Sequence, residues 1–241
     1  MTSTIVLVHG AFAESASWNP VISELVAKGY PTIAAANPLR GLKSDAGYVA
    51  SLLKVISGPV VLVGHSYGGA VITNAATESP NVKALVYVAG FAPDKGESAF
   101  SLSLQFPGST LGPALAPPVV LADGGKDLYI QQDKVPAQFA ADVPIAESMT
   151  MAVTQRPVTE AALNEASGEP AWKSIPSWFI YGGQDRNIPA AALQFMAKRA
   201  GARKSIEVPS ASHVVMLSHA QEVSQLIEEA ATAVASEREV A

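Results

Sequence analysis

The chain has 241 residues, 49% of them hydrophobic and 15% charged, a balance that supports one full-sized α/β domain with a large core and argues against disorder. Its net charge of −5, with no run of lysine or arginine, speaks against nucleic acid or an anionic membrane as partner. The absence of cysteine excludes disulfides, thiolate catalysis and zinc–sulfur sites.

Residues 4–8 read as the first strand. The run is far too short for a signal peptide, and no window reaches eighteen consecutive apolar residues, so a soluble, cytoplasmic protein is expected. Asn19-Pro20 supplies a cap and a first-turn proline for a helix carrying Val21, Ile22, Leu25 and Val26. Residues 31–35 form the next strand, and Val49, Leu52, Leu53 and Ile56 make one buried helical stripe. Strands at 60–63 and 83–88 follow. The rhythm then breaks: residues 91–176 are rich in proline and lack strand–helix alternation, yet so long a structureless loop is implausible in a compact domain. Asp123-Gly124-Gly125 between 119–121 and 128–130 reads as a hairpin, and 136–141, 145–154 and 159–166 as helices. This segment is read as a cap inserted into a core made of 1–90 and 177–241. Strands at 177–181 and 204–208 flank a helix opened by Pro189 and closed by Gly201. A last stripe, Val223, Leu226, Ile227, Ala230 and Val234, leaves Glu228 and Glu229 to water. Nearly continuous apolar strands alternating with helices predict a mostly parallel six-stranded sheet flanked by helices.

Gly64-His65-Ser66-Tyr67-Gly68 sits between the third strand and a helix that opens on small residues. A serine hydroxyl is a weak nucleophile unless it is lifted from the sheet and aligned with a base, and glycines two residues before and after it leave room for such a turn. Parallel sheets gather their sites at the carboxyl ends of strands, where Asp185 and His213 also fall. The order Ser66, Asp185, His213 is nucleophile, acid, base. His213 would act as general base and Asp185 would fix its tautomer, with Asp94 as reserve acid. Backbone N–H groups of Tyr67 and of Ala11, or else Phe12, would bind an oxyanion. Each residue has a structural alternative: Ser66 as a helix cap, Asp185 as a turn or helix cap, His213 as a loop histidine. His9 and His65 are read as holding backbone, His219 as solvated or capping, and Asp123 and Asp127 as structural. Phe12, Trp18, Phe91 and Met149 are candidate pocket residues, with Leu102, Leu104, Phe106, Phe139 and Met151 as further apolar contributors.

On Ile5-Val6-Leu7-Val8-His9-Gly10-Ala11 with Trp18, Gly64 to Gly69, Gly182 to Asp185 and Ser212-His213, the chain resembles the α/β-hydrolase superfamily. It is most similar to the small branch holding plant methylesterases, salicylate-binding esterases and hydroxynitrile lyases. The likeness spans essentially the whole chain and includes residues 123–129. It implies a Ser-His-Asp hydrolase. The lyases of that branch carry a threonine where this chain has Gly10 and a lysine where it has Val214, which disfavours cyanohydrin cleavage. No aspartate stands at the nucleophile position, as it does in dehalogenases and epoxide hydrolases of this fold.

The expectation is therefore a hydrolase of small to medium, apolar carboxylic esters, working through an acyl-enzyme as a monomer or homodimer. It would need neither metal nor organic cofactor and bind neither nucleic acid nor membrane. A small-molecule receptor on the same scaffold, or a lactonase, amidase or C–C hydrolase, stands beside it.

Overall fold

The apolar runs become strands of one parallel sheet in the computed structural model, which describes residues 2–240. In chain order, β1 (Thr4–Val8), α1 (Asn19–Ala27), β2 (Thr32–Ala35), α2 (Leu42–Lys54), β3 (Val60–His65), α3 (Tyr67–Ala75) and β4 (Val82–Val88) build the first half. The next stretch holds α4 (Ala99–Gln105), α5 (Leu111–Ala114), β5 (Val119–Val120), β6 (Lys126–Leu128), α6 (Val135–Phe139), α7 (Ile145–Thr154), β7 (Val158–Thr159) and α8 (Glu160–Asn164). The chain then returns through β8 (Ser177–Gly182), α9 (Ala190–Arg199), β9 (Lys204–Val208), α10 (Val215–Ser218) and α11 (Ala220–Val240). Among the described residues no helix is long and apolar enough to cross a membrane.

The large sheet has the order β2-β1-β3-β4-β8-β9, and every pairing in it is parallel rather than mostly so. β3 is buried at all six positions, and β4 at all but Lys83, as strands covered on both faces must be. α1 and α11 pack on each other, and α11 lies on β3, β4 and β8; α2 packs on α3, which lies on β1, β3 and β4. The order of connection reverses on either side of β1, so the carboxyl ends of β1 and β3 flank a topological switch point, where such sheets hold their ligands.

Three local readings need correction. Asn19 is the first helical residue of α1, not its cap; Trp18 precedes it without a side-chain cap, and Pro20 sits in the first turn as expected. In α2 the fully buried stripe is Asp45, Val49 and Leu53, while Leu52 is half-buried and Ile56 lies beyond the helix end at Lys54. The expected hairpin forms with Val119 opposite Asp127, its second strand lying at Lys126–Leu128 rather than 128–130; β7 joins it to make three strands, and α4 and α5 were not anticipated. Helix 145–154 matches its expected limits, as do strands 4–8 and 204–208.

The segment between β4 and β8 is tied to α9 by Arg199, whose two terminal nitrogens meet Glu97 at 2.8 and 2.7 Å while its guanidinium covers the Trp172 ring. At the carboxyl end of β8, Gly182 is where the loops after β8 and β9 touch: a Cβ there would overlap the carbonyl oxygens of Ala211 and Ser212. Gly182→Ala therefore forces backbone apart in a packed region and is expected to cost about 2–3 kcal/mol in urea denaturation. A change below 0.5 kcal/mol, on the order of an ordinary surface substitution, would contradict that packing.

Candidate active site

β3 delivers Gly64 and His65 at its carboxyl end, and the chain reverses at Ser66, φ 54° and ψ −124°, before α3 begins at Tyr67. Non-glycine residues avoid this left-handed region, and holding one there costs about 1–3 kcal/mol. Backbone bonds hold it in place. The Ser66 N–H donates to Val88 O at 3.2 Å, and its carbonyl accepts from Gly69 and Phe91 N–H at 2.9 and 3.0 Å. A Cβ at Gly64 would lie 2.6 Å from Gly68 O, and one at Gly68 would overlap Val8 O. Only glycines let the turn close. Ser66 occupies the N-cap position of α3, but its hydroxyl makes no capping bond and lines a cavity instead.

The loop after β8 carries Asp185 and the loop after β9 carries His213. Asp185 Oδ2 meets His213 Nδ1 at 2.6 Å, with both side chains buried. The other carboxylate oxygen accepts the N–H groups of Asn187 and Ile188 at 2.8 and 2.9 Å, so Asp185 both closes its own turn and holds the imidazole. A carboxylate on Nδ1 fixes the proton there and leaves Nε2 as the basic nitrogen. His213 and Ser66 line the same cavity; among the described residues the serine hydroxyl has no hydrogen-bond partner. The histidine ring is packed between His65 (4.8 Å between centroids) and Phe139 (5.1 Å).

Parallel pairing of Val8 with Gly64 sets the turn after β1 beside Ser66. A Cβ at Gly10 would lie 2.5 Å from Ser66 Cβ and 3.2 Å from its hydroxyl oxygen, so a side chain at 10 displaces the serine. Of the two candidate donors on this turn, Phe12 uses its N–H on Arg156 O at 3.1 Å, from a left-handed backbone at φ 61°. The N–H groups of Ala11 and Tyr67 have no acceptor among the described residues, and both residues line the cavity.

That cavity encloses about 1330 Å³. Phe12, Phe91, Phe106, Leu111, Phe139 and Leu163 contribute apolar wall, and no lysine or arginine lines it. Two pocket candidates fall elsewhere. Trp18 is fully buried, its ring edge-on to His65 at 6.3 Å, because the first helix folds it under the turn; Met149 stands 42% exposed on α7. Leu104 joins the lining, whereas Leu102 is buried outside it and Met151 lines a separate pocket of about 240 Å³. Asp94 pairs with Lys173 at 2.8 Å, not with a histidine, and the ammonium holds its carboxyl below the usual range. Asp123 accepts the Gly125 N–H, and Asp127 pairs with Arg40 at 2.7 Å. His219 bonds Ser218 and lies 3.7 Å from Asp142. Among the described residues no group of three His, Asp or Glu side chains is placed to hold a metal ion.

His9 and His65 are buried supports. His9 Nδ1 meets Gly10 O at 2.9 Å, and burial pushes its pKa down to about 4. His65 Nε2 meets the His213 carbonyl at 3.1 Å, and burial, with His213 beside it, holds its imidazole well below the ordinary range. Sequence reasoning missed Asp45, which accepts the Tyr67 hydroxyl at 2.9 Å. A signal was present, since Asp45 lies one and two helical turns before Val49 and Leu53 on an otherwise apolar stripe.

Residues 5–226 match the family model described as the alpha/beta hydrolase family. A pyrethroid hydrolase of Sphingobium wenxiniae is 27% identical over all of this chain and 92% of its own length. A norfluorocurarine synthase 2 of a Strychnos species is 25% identical over 93% of each chain. Among solved structures, a variant of tomato methylketone synthase I superposes with a TM-score of 0.81 at 18% identity, covering 97% of this chain and 99% of the other.

The buried neutral imidazoles make folding sensitive to mild acid. His9 has a folded pKa of about 4 against an ordinary 6.5, so the unfolded chain takes up the proton first. Stability is intact above about pH 6.5 and falls as pH drops toward 4. Urea denaturation at pH 5.0 is expected to give about 2 kcal/mol less stability than at pH 7.5 from His9 alone, with more from His65. Equal stability at the two pH values would contradict neutral, buried histidines.

Proposed function

The chain belongs to the alpha/beta hydrolase family, and from that premise we propose that it is a serine hydrolase cleaving small to medium, apolar carboxylic esters through an acyl-enzyme. One observation carries the reading: a buried Asp185–His213 pair and an uncommitted serine on a strained turn face one apolar cavity.

His213 Nε2 takes the Ser66 proton as the hydroxyl oxygen attacks the ester carbonyl, then returns it to the departing alcohol. Asp185 keeps the imidazole in the required tautomer and stabilises the imidazolium. Tyr67 and Ala11 N–H receive the developing oxyanion; the Phe12 N–H is already committed to Arg156, which favours Ala11 of the two. Water then enters by the same route, with His213 again as base, and the acid leaves. The 91–176 segment acts as the cap that supplies much of the apolar wall.

Lyase chemistry on a cyanohydrin is not supported: no side chain at position 10, a buried Val214 and a cavity wall without lysine or arginine leave a cyanide leaving group without a cation. The pyrethroid hydrolase among the relatives supports a hydrolytic reading.

Turnover of p-nitrophenyl acetate and butyrate tests the proposal. The protein is expected to release p-nitrophenol, Ser66→Ala to lose at least about 10³-fold in kcat, and Asp185→Asn about 10³–10⁴-fold. No turnover above the Ser66→Ala control, together with no adduct from a serine-directed phosphonate, would overturn it. Ligands that raise the melting temperature without being consumed would then point to a receptor.

A further inference from the structure

A fully buried carboxylate needs a reason, because burial disfavours its charged form. Asp45, in the first turn of α2, is fully buried, and burial pushes its pKa up against the bonds it accepts. Oδ1 accepts the Arg40 N–H at 3.1 Å; Oδ2 accepts the Gly41 N–H at 3.4 Å and the Tyr67 hydroxyl at 2.9 Å. The two N–H bonds brace the loop before α2. The third bond does something else: it reaches the side chain of the residue directly after Ser66. Tyr67 is itself buried, so its ring could pack as phenylalanine without the hydroxyl.

Asp45 is also unable to drift. Its Arg40 neighbour spans to the inserted segment, with Nη1 on Asp127 at 2.7 Å and Nη2 on Pro157 O at 2.7 Å. Thr159 returns two bonds to the same loop, from its N–H to Leu39 O at 3.1 Å and from its hydroxyl to Arg40 O at 2.9 Å.

We propose that Asp45 is a positioning residue for the reaction: by accepting the Tyr67 hydroxyl it fixes the peptide between Ser66 and Tyr67, whose N–H is the oxyanion donor. This rests on the serine-hydrolase reading above. An oxyanion donor works only when it is already aimed at the developing charge, and removing one outright costs about 10²–10³-fold in turnover. Loosening one costs less, on the order of 10- to 100-fold, and falls on kcat because the ground-state ester makes little use of it.

The test uses the full chain, p-nitrophenyl butyrate and a trifluoromethyl ketone that adds to serine as an oxyanion mimic. Tyr67→Phe, Asp45→Asn and the double variant are compared with the parent protein, with folded fraction measured by circular dichroism. Tyr67→Phe is expected to lower kcat about 10- to 100-fold, to leave KM within about threefold, and to weaken the ketone by the same factor as kcat. Asp45→Asn keeps one acceptor oxygen and loses less. The double variant is expected to be no worse than the more damaging single change, because both break one interaction. A merely structural Asp45 would lower the melting temperature and leave kcat and ketone affinity unmoved. Folded variants with kcat and ketone affinity within twofold of the parent, or losses that multiply in the double variant, would overturn the proposal. Should Tyr67→Phe not fold, the same comparison is read from Asp45→Asn. A parent protein without Ser66-dependent turnover fails one step earlier: it overturns the hydrolase reading, and this inference with it.

Discussion

The left-handed backbone at Ser66 is the constraint on which the rest of the site depends. A serine in that conformation is strained by about 1–3 kcal/mol, and nothing local relieves it. The turn persists because β3, β4 and α3 converge on it through the Val88, Gly69 and Phe91 bonds, with glycines at 64 and 68 admitting the close approach. β1 then packs its own turn against the serine, near enough that Gly10 can carry no side chain without displacement. The outcome is a hydroxyl that, among the described residues, makes no hydrogen bond, and two N–H groups on the same cavity, of Ala11 and Tyr67, that are equally uncommitted there.

The proposed base is built differently. Asp185 and His213 lie on loops, which would be poor platforms if they were free. Here the two loops meet at Gly182, the carboxylate is pinned by two N–H groups of its own turn, and the imidazole is held by His65 below its backbone and Phe139 against its ring. Rigid support of this kind holds a nucleophile and a base within reach of each other through a reaction cycle. The supports are themselves uncharged: His9 and His65 are neutral because burial removes the hydration that a proton would need. Neither support therefore adds a positive charge beside the imidazolium that His213 would form during the proposed reaction.

Much of this was legible in the chain. Nearly continuous apolar runs marked β1, β3, β4 and β8, since burial on both faces leaves a signal that needs no tertiary context, whereas the runs that became β2 and β9 are mostly half-buried or exposed and were marked by their place in the strand–helix alternation. The placing of Ser66, Asp185 and His213 after three of those runs followed from the same pattern. What failed to show depends on partners distant in sequence. Val158 and Thr159 form a strand only because β6 is present to pair with them. Trp18 and Met149 were equally plausible pocket residues until helix packing sent one beneath the turn and the other outward. Phe12 and Ala11 could be separated only by the Arg156 carbonyl, 144 residues away by number, that engages one of them. Asp45 was visible as a charge on an apolar stripe, but its meaning came from Tyr67 across the α2–α3 contact.

The most direct measurement is a crystal structure of the protein after reaction with a serine-directed phosphonate. The account expects phosphorus bonded to the Ser66 oxygen, its phosphoryl oxygen within hydrogen-bond distance of the Ala11 and Tyr67 N–H groups, and His213 Nε2 facing the position of the leaving group. Phosphorus on another residue, or a phosphoryl oxygen turned away from both N–H groups, would contradict it.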